Sequence, residues 1–135
     1  MVWGELVARI LCVEDSSEFF IFLSSVLKDH SVSRAVDIRQ AYQLTRGGKH
    51  NFDLILLDIS LPDGSGLRAL PQLRQGEIPI IVLSSDSDVL TKVAAFGVGA
   101  DDYLSKPPDP NELRARIEAR LRSVKTNEKS RTQLQ

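Results

Sequence analysis

The sequence predicts an α/β fold, a doubly wound parallel sheet with helices on both faces. Three observations predict it. Short apolar runs rich in branched residues recur at Ala8 to Val13, Phe52 to Leu57 and Ile78 to Leu83, each bounded by polar or turn-forming positions. Between such runs the apolar period lengthens to that of a helix. The alternation repeats five times, which argues for βα units and therefore parallel strands buried on both faces.

The elements follow in order. The first strand, Ala8 to Val13, leads to a helix whose Phe19, Phe22, Leu23, Val26 and Leu27 share one face. A weaker strand at Val32 to Val36 precedes a helix over Arg39 to Arg46, and Gly47-Gly48-Lys49-His50 reads as a flexible turn. After the third strand a helix fits Gly66 to Arg74, which Pro71 should shorten or kink. The fourth strand precedes a helix with Val89, Val93 and Ala94 on one face. The fifth, Asp102 to Leu104, is closed off by Pro107 and Pro108. Leu113, Ile117, Leu121 and Val124 then repeat at helical spacing, with Asn111 as a plausible N-cap. Residues 1–124 thus form one domain, and Lys125 to Gln135 lose the apolar period, as a tail or the start of a linker does.

Composition narrows the function classes. A chain of 135 residues, 42% hydrophobic and 26% charged, suits one soluble domain. Its formal net charge of −1 leaves no electrostatic footprint for direct nucleic-acid binding. No apolar run reaches the roughly 20 residues of a membrane helix, and Glu5 and Arg9 interrupt Val2 to Val13, so a cytoplasmic protein is expected. The single cysteine, Cys12, lies in an apolar run and reads as a small core residue; it excludes an intrachain disulfide and a zinc site built on several cysteines.

Ligands of open parallel sheets bind beyond the carboxyl ends of the strands, where strand order reverses. Here those ends read Val13-Glu14-Asp15, Leu57-Asp58-Ile59-Ser60, Leu83-Ser84-Ser85 and Leu104-Ser105-Lys106-Pro107. Three acids, a hydroxyl and an ammonium should converge on one rim. Clustered carboxylates repel one another and lose hydration, which a cation relieves. Oxygen donors without His or Cys suit Mg2+, which keeps several waters and pairs with phosphate. The competing account is carboxylates at solvated strand ends or helix caps, which for Asp15 alone, followed by Ser16 and a helix, is respectable.

With these residues the chain resembles the response-regulator receiver family, closest in look to receivers linked to winged-helix DNA-binding domains. The resemblance runs from about Arg9 to Ser123 and rests on Leu11-Cys12-Val13-Glu14-Asp15, Asp53 to Asp58, Leu61-Pro62-Asp63-Gly64-Ser65-Gly66, Pro79 to Ser85 and Gly99 to Pro107. It implies a flavodoxin-like (βα)5 sandwich with strand order 2-1-3-4-5. It further implies that Asp58 takes a phosphoryl group from a sensor histidine kinase or phosphotransfer protein. Asp15 and Asp58 would ligate Mg2+ directly, with Glu14 acting through water and Ser60 through its carbonyl. Lys106 would pair with a phosphoryl oxygen, Ser84 would donate to another, and Tyr103 would turn into the space that the moving loop vacates. The family's usual cis bond falls at Lys106-Pro107. A phosphorylation-dependent homodimer through the fourth helix, fifth strand and fifth helix is also expected. Mixed charges at Lys92, Asp101, Asp102, Glu112, Arg116 and Arg120 would cross-pair there.

The sequence departs from the family pattern at Glu14 for the commoner Asp, Ser84 for Thr, Pro108 for an apolar residue, and Gly97 and Val98 at the end of the fourth helix. None removes a group that the phosphorylation chemistry requires. Two alternatives stand beside this reading. A haloacid-dehalogenase-like phosphohydrolase also uses an Asp nucleophile but wants an acid two residues later, where Ser60 stands. A degenerate receiver-like interaction module would lack part of the Glu14, Asp15, Asp58, Ser84 and Lys106 set, which is intact. A P-loop and a Gly-x-Gly-x-x-Gly turn are both missing. Trp3, His30 and His50 receive no functional role, the histidines being expected in solvent, and Asp101 and Asp102 should sit at the end of the sheet opposite the site.

Overall fold

The computed structural model describes residues 7–46, 52–61, 64–74, 78–86 and 88–134. Its elements are β1 (Arg9–Val13), α1 (Ser17–Val26), β2 (Ser31–Ala35), α2 (Ile38–Thr45), β3 (Leu54–Asp58), β4 (Ser60–Leu61), β5 (Gly64–Ser65), α3 (Gly66–Leu73), β6 (Ile80–Ser84), α4 (Val89–Gly97), β7 (Asp102–Ser105) and α5 (Pro110–Leu134). β4 and β5 form a short antiparallel pair ahead of α3. The other five strands make one sheet in the order β2-β1-β3-β6-β7, parallel throughout, which is 2-1-3-4-5 when those strands alone are counted.

Because helices cover both faces, the central strands are apolar at nearly every position, and alternate residues feed two cores. Leu11, Val13, Ile55, Leu57, Ile80 and Val82 face α2 and α3, where Ala41, Leu70 and Leu73 meet them. Ile10, Cys12, Leu54, Leu56, Ile81 and Leu83 face α1 and α5, meeting Leu23, Leu27, Leu113, Ile117 and Leu121. Cys12 is a core residue as expected; burial, and after it the charge of Glu14, pushes its thiol up to about 12.

Several local expectations change. The cap of α5 is Asp109, not Asn111: its Oδ1 accepts the Glu112 N–H at 3.0 Å, and Pro110 takes the first helical position, where a missing N–H costs nothing. The helix continues to Leu134, ten residues past Val124. In α4, Ala95 faces the sheet, while Val89, Val93 and Ala94 point outward. Their apolar character does not mark the core face. Pro71 is accommodated inside α3, which ends one residue early, at Leu73. Gly99, at φ 110°, makes the left-handed turn after α4. Arg74 seals that turn, donating to the Gly99 carbonyl and pairing with Asp101 at 3.2 Å.

His30 is half-buried, not solvated, and its Nδ1 accepts the Ala8 N–H at 3.1 Å ahead of β1. Asp101 and Asp102 lie at the entry to β7, as expected, and Asp101 accepts the Ile80 N–H at 2.8 Å. Trp3, Asp63 and the Gly47 to His50 tract fall outside the described residues. No helix among the described residues is long and apolar enough to cross a membrane.

Candidate functional site

Parallel strands deliver their last residues to one rim, and there the structure assembles the expected side chains. Glu14 and Asp15 follow β1, Asp58 ends β3, Ser84 ends β6 and Lys106 follows β7. Carboxylate oxygens of Glu14, Asp15 and Asp58 all lie within 4.8 Å of one another. Glu14 and Asp58 are buried, while Asp15 is exposed.

Each buried acid is held at two points. Glu14 Oε2 accepts the Ser16 N–H at 3.0 Å, and Oε1 pairs with Lys106 Nζ at 2.9 Å. Asp58 Oδ1 accepts the Ser60 N–H at 3.0 Å, and Oδ2 stands 3.4 Å from the same ammonium. Lys106 also lies over the Phe19 ring, 4.4 Å from its centroid, a cation–π contact that holds the ammonium above the acids. The Lys106-Pro107 bond is cis, as the resemblance implied, and Pro108 is buried.

The electrostatics follow from crowding. Burial raises the Glu14 carboxyl above its ordinary value; the Ser16 and Lys106 hydrogen bonds oppose that and the Asp58 charge adds to it. Burial alone would lower Lys106, but the Glu14 and Asp58 carboxylates outweigh it and hold the ammonium above its usual value. Three carboxylates face one ammonium, all donors are oxygen, and Asp15 opens to solvent. That arrangement fits a hard divalent cation.

The hydroxyl side of the rim is wired to α4. Ser84 is buried, and its Oγ accepts the Asp86 N–H at 3.0 Å. The Asp86 carbonyl accepts the Tyr103 hydroxyl at 2.6 Å, and its carboxylate accepts from Thr91 of α4 at 2.8 Å. The Asp88 N–H, and after it the Thr91 hydroxyl, hold the Asp86 carboxyl below the usual range. Tyr103, expected to turn inward on activation, is already inward in this structure, packed in the core with 8% of its surface exposed.

Sequence reasoning missed Phe19 as a partner of Lys106, Asp86 as the link between Ser84 and Tyr103, and Arg34. Arg34 reaches from β2 to the turn that carries Glu14 and Asp15. Only its placement in the otherwise small, uncharged tract Ser31-Val32-Ser33-Arg34-Ala35 hinted at a role.

Gly66 packs α3 against the same rim. A Cβ there would stand 2.7 Å from both the Asp58 carbonyl oxygen and Ile59 Cα, main-chain atoms that cannot yield by changing rotamer. Gly66→Ala is therefore expected to cost about 1–3 kcal/mol and to displace Asp58. The melting temperature should fall; an unchanged variant would show that α3 is not wedged there.

A doubly wound α/β domain with a buried acid at the end of its third long strand, flanked by an acidic pair and a lysine, is of the receiver class. The response regulator receiver domain model matches residues 10–118, and the chain belongs to that family, as the receiver of a two-component response regulator, a signalling switch. It is 40% identical over 121 residues to the KDP operon transcriptional regulatory protein KdpE of Escherichia coli, covering 86% of this chain and 52% of that protein. It is 38% identical over 117 residues to response regulator ArlR of Staphylococcus saprophyticus, covering 86% and 53%. The chain thus spans about half the length of these curated relatives. Among solved structures, the BeF3-activated DrrB receiver domain superposes with a TM-score of 0.78 at 27% identity, covering 87% of this chain and 99% of that one.

Proposed function

We propose that this chain is a phosphorylation switch in which Asp58 accepts a phosphoryl group, in the presence of Mg2+, from a sensor histidine kinase or phosphotransfer protein. The observation that carries the reading is the convergence of Glu14, Asp15 and Asp58 within 4.8 Å, with Lys106 bridging Glu14 and Asp58. The metal would be held by Asp15 and Asp58 directly, by Glu14 through water and by the Ser60 carbonyl. Bound Mg2+ supplies charge neutralisation to the phosphoryl oxygens.

The chain's own groups do the rest. A carboxylate oxygen of Asp58 attacks phosphorus in line; the new O–P bond forms as the donor's bond to phosphorus breaks, and its electron pair leaves with the donor. The Ser60 N–H fixes the Asp58 rotamer during attack. Lys106 transfers from the acids to a phosphoryl oxygen, and Ser84 donates its hydroxyl hydrogen to another. Ser84 can do so while still accepting from Asp86, so its movement pulls directly on the Tyr103 and Thr91 contacts. Incubation with acetyl phosphate and Mg2+, followed by intact-protein mass spectrometry, tests the reading. One added phosphoryl group is expected, lost in Asp58→Asn and in EDTA; labelling that survives either change overturns it.

Ser84→Ala should still accept phosphate yet respond poorly. Amide NMR should show donor-induced shifts near Asp58 but attenuated shifts at Tyr103 and Thr91, and wild-type shifts at both would refute the coupling.

The output proposed is a symmetric dimer through α4, β7 and α5. Support comes less from charge than first expected, because Asp102 already pairs with Arg116 at 3.4 Å and Arg120 at 4.0 Å, and Arg116 with Glu112 at 3.6 Å. It comes instead from α4, whose Val89, Leu90 and Val93 are 69%, 75% and 61% exposed. Sedimentation of phosphorylated protein should show a dimer that Leu90→Glu disperses; a monomer throughout would assign α4 to another partner.

A further inference from the structure

We infer that Arg34 is a positioning residue for the divalent-ion site, an inference that rests on the phosphoacceptor reading and adds to it. Its guanidinium projects from β2 onto the turn between β1 and α1. Nε donates to the Glu14 carbonyl at 2.9 Å, Nη2 to the Asp15 carbonyl at 2.8 Å and Nη1 to Ser17 Oγ at 3.2 Å. The group also lies over the Phe20 ring, 5.6 Å from its centroid.

Those two carbonyls belong to the peptide planes on either side of the Asp15 Cα. Holding both limits rotation about φ and ψ of that one residue, and a planar fork does this with little loss of its own freedom. Asp15 needs such support more than its neighbours do. Glu14 is aimed by Ser16 and Lys106, and Asp58 by Ser60 and Lys106. Among the described residues no hydrogen bond or ion pair holds the Asp15 carboxylate itself. Its direction therefore depends on the backbone that Arg34 fixes.

Charge and positioning act in opposite senses here. A guanidinium near the acids repels an incoming cation, so charge alone would make its removal tighten Mg2+ binding, whereas loss of the fork would loosen it. Groups that orient metal ligands from behind typically change affinity by about 10–100-fold.

The experiment is an Mg2+ titration of the full chain followed by amide NMR, in wild type, Arg34→Gln, Arg34→Lys and Ser17→Ala. Arg34→Lys keeps the charge and most of the aliphatic stem but loses the fork, and the same spectra report whether each variant is folded. Both Arg34 variants are expected to bind Mg2+ about 10-fold more weakly, with Ser17→Ala like wild type. Phosphodonor labelling of the Arg34 variants should recover at saturating Mg2+. Unchanged binding in Arg34→Lys, tighter binding in Arg34→Gln, or an equal loss in Ser17→Ala overturns the positioning role. A wild type that shows no Mg2+-dependent shifts overturns the phosphoacceptor reading itself, a distinct result.

Discussion

Asp58→Asn is expected to melt above the wild type in EDTA, by about 4 °C, while accepting no phosphoryl group. Asp58 lies within 4.8 Å of both Glu14 and Asp15, and at an effective dielectric of about 20 each such repulsion is worth about 3.5 kcal/mol. The single attraction to Lys106 at 3.4 Å is worth about 5 kcal/mol on the same scale. Two repulsions outweigh one attraction, and solvent around exposed Asp15 reduces the surplus to about 1 kcal/mol, or about 4 °C for a domain of this size. The amide oxygen of Asn can still accept the Ser60 N–H, so local geometry persists while the nucleophile and the negative charge are lost. Mg2+ should stabilise the wild type and act far more weakly on the variant. A variant that melts at or below the wild type in EDTA would mean that Asp58 is net stabilised by Lys106, and that the rim is not under electrostatic strain.

The rim was legible from sequence because a parallel sheet leaves little choice. An apolar run that ends in an acid, a hydroxyl or a lysine must present that residue on the same edge as its neighbours, so Glu14, Asp15, Asp58, Ser84 and Lys106 could be grouped without distances. What stayed hidden has specific physical causes. Arg34 bonds mainly to carbonyl oxygens, and main-chain acceptors leave no mark in a sequence. The face of α4 was misread because Val89, Leu90, Val93, Ala94, Ala95 and Phe96 surround the helix axis, so periodicity could not tell the sheet side from the open side. Asp109 and Asn111 are equally good caps by residue type, and Pro110 between them decided the matter. The state of Tyr103 depends on its 2.6 Å bond to the Asp86 carbonyl, again a main-chain partner.

Lys106 carries the converse expectation to Asp58: its removal should strongly destabilise the metal-free protein. Glu14 and Asp58 are 2% and 5% exposed at their side chains, and Lys106 is the cation that pairs with both, at 2.9 and 3.4 Å. Taking away one partner of a buried pair leaves uncompensated charge and typically costs about 3–5 kcal/mol. Part of the loss in Lys106→Ala would come from the missing aliphatic stem, as distinct from the ammonium that lies over Phe19. Lys106→Met separates the two, since it keeps most of the stem and discards the charge, and it should lose nearly as much as Ala. The pH dependence fixes the sign independently. The Glu14 carboxyl is raised in the folded protein, so between its ordinary value and its raised one the folded state holds more protons than the unfolded chain. The Glu14 contribution to stability in EDTA should therefore rise as pH falls from neutral through the raised value and level off below the ordinary one, set against the Asp86 contribution, which is lost as pH falls. Without Lys106, which pulls Glu14 down, that rise should begin at higher pH and be larger. Lys106 is itself raised, so its contribution is complete below the ordinary lysine value and is lost as pH climbs through the raised one. Buried Cys12 gives an alkaline loss to every variant, so the wild type should show a larger loss than either Lys106 variant. Thermal melts in EDTA across pH, repeated with Mg2+, read every part of this expectation. A Lys106→Met protein that melts with the wild type at neutral pH in EDTA would show that the ammonium compensates neither acid.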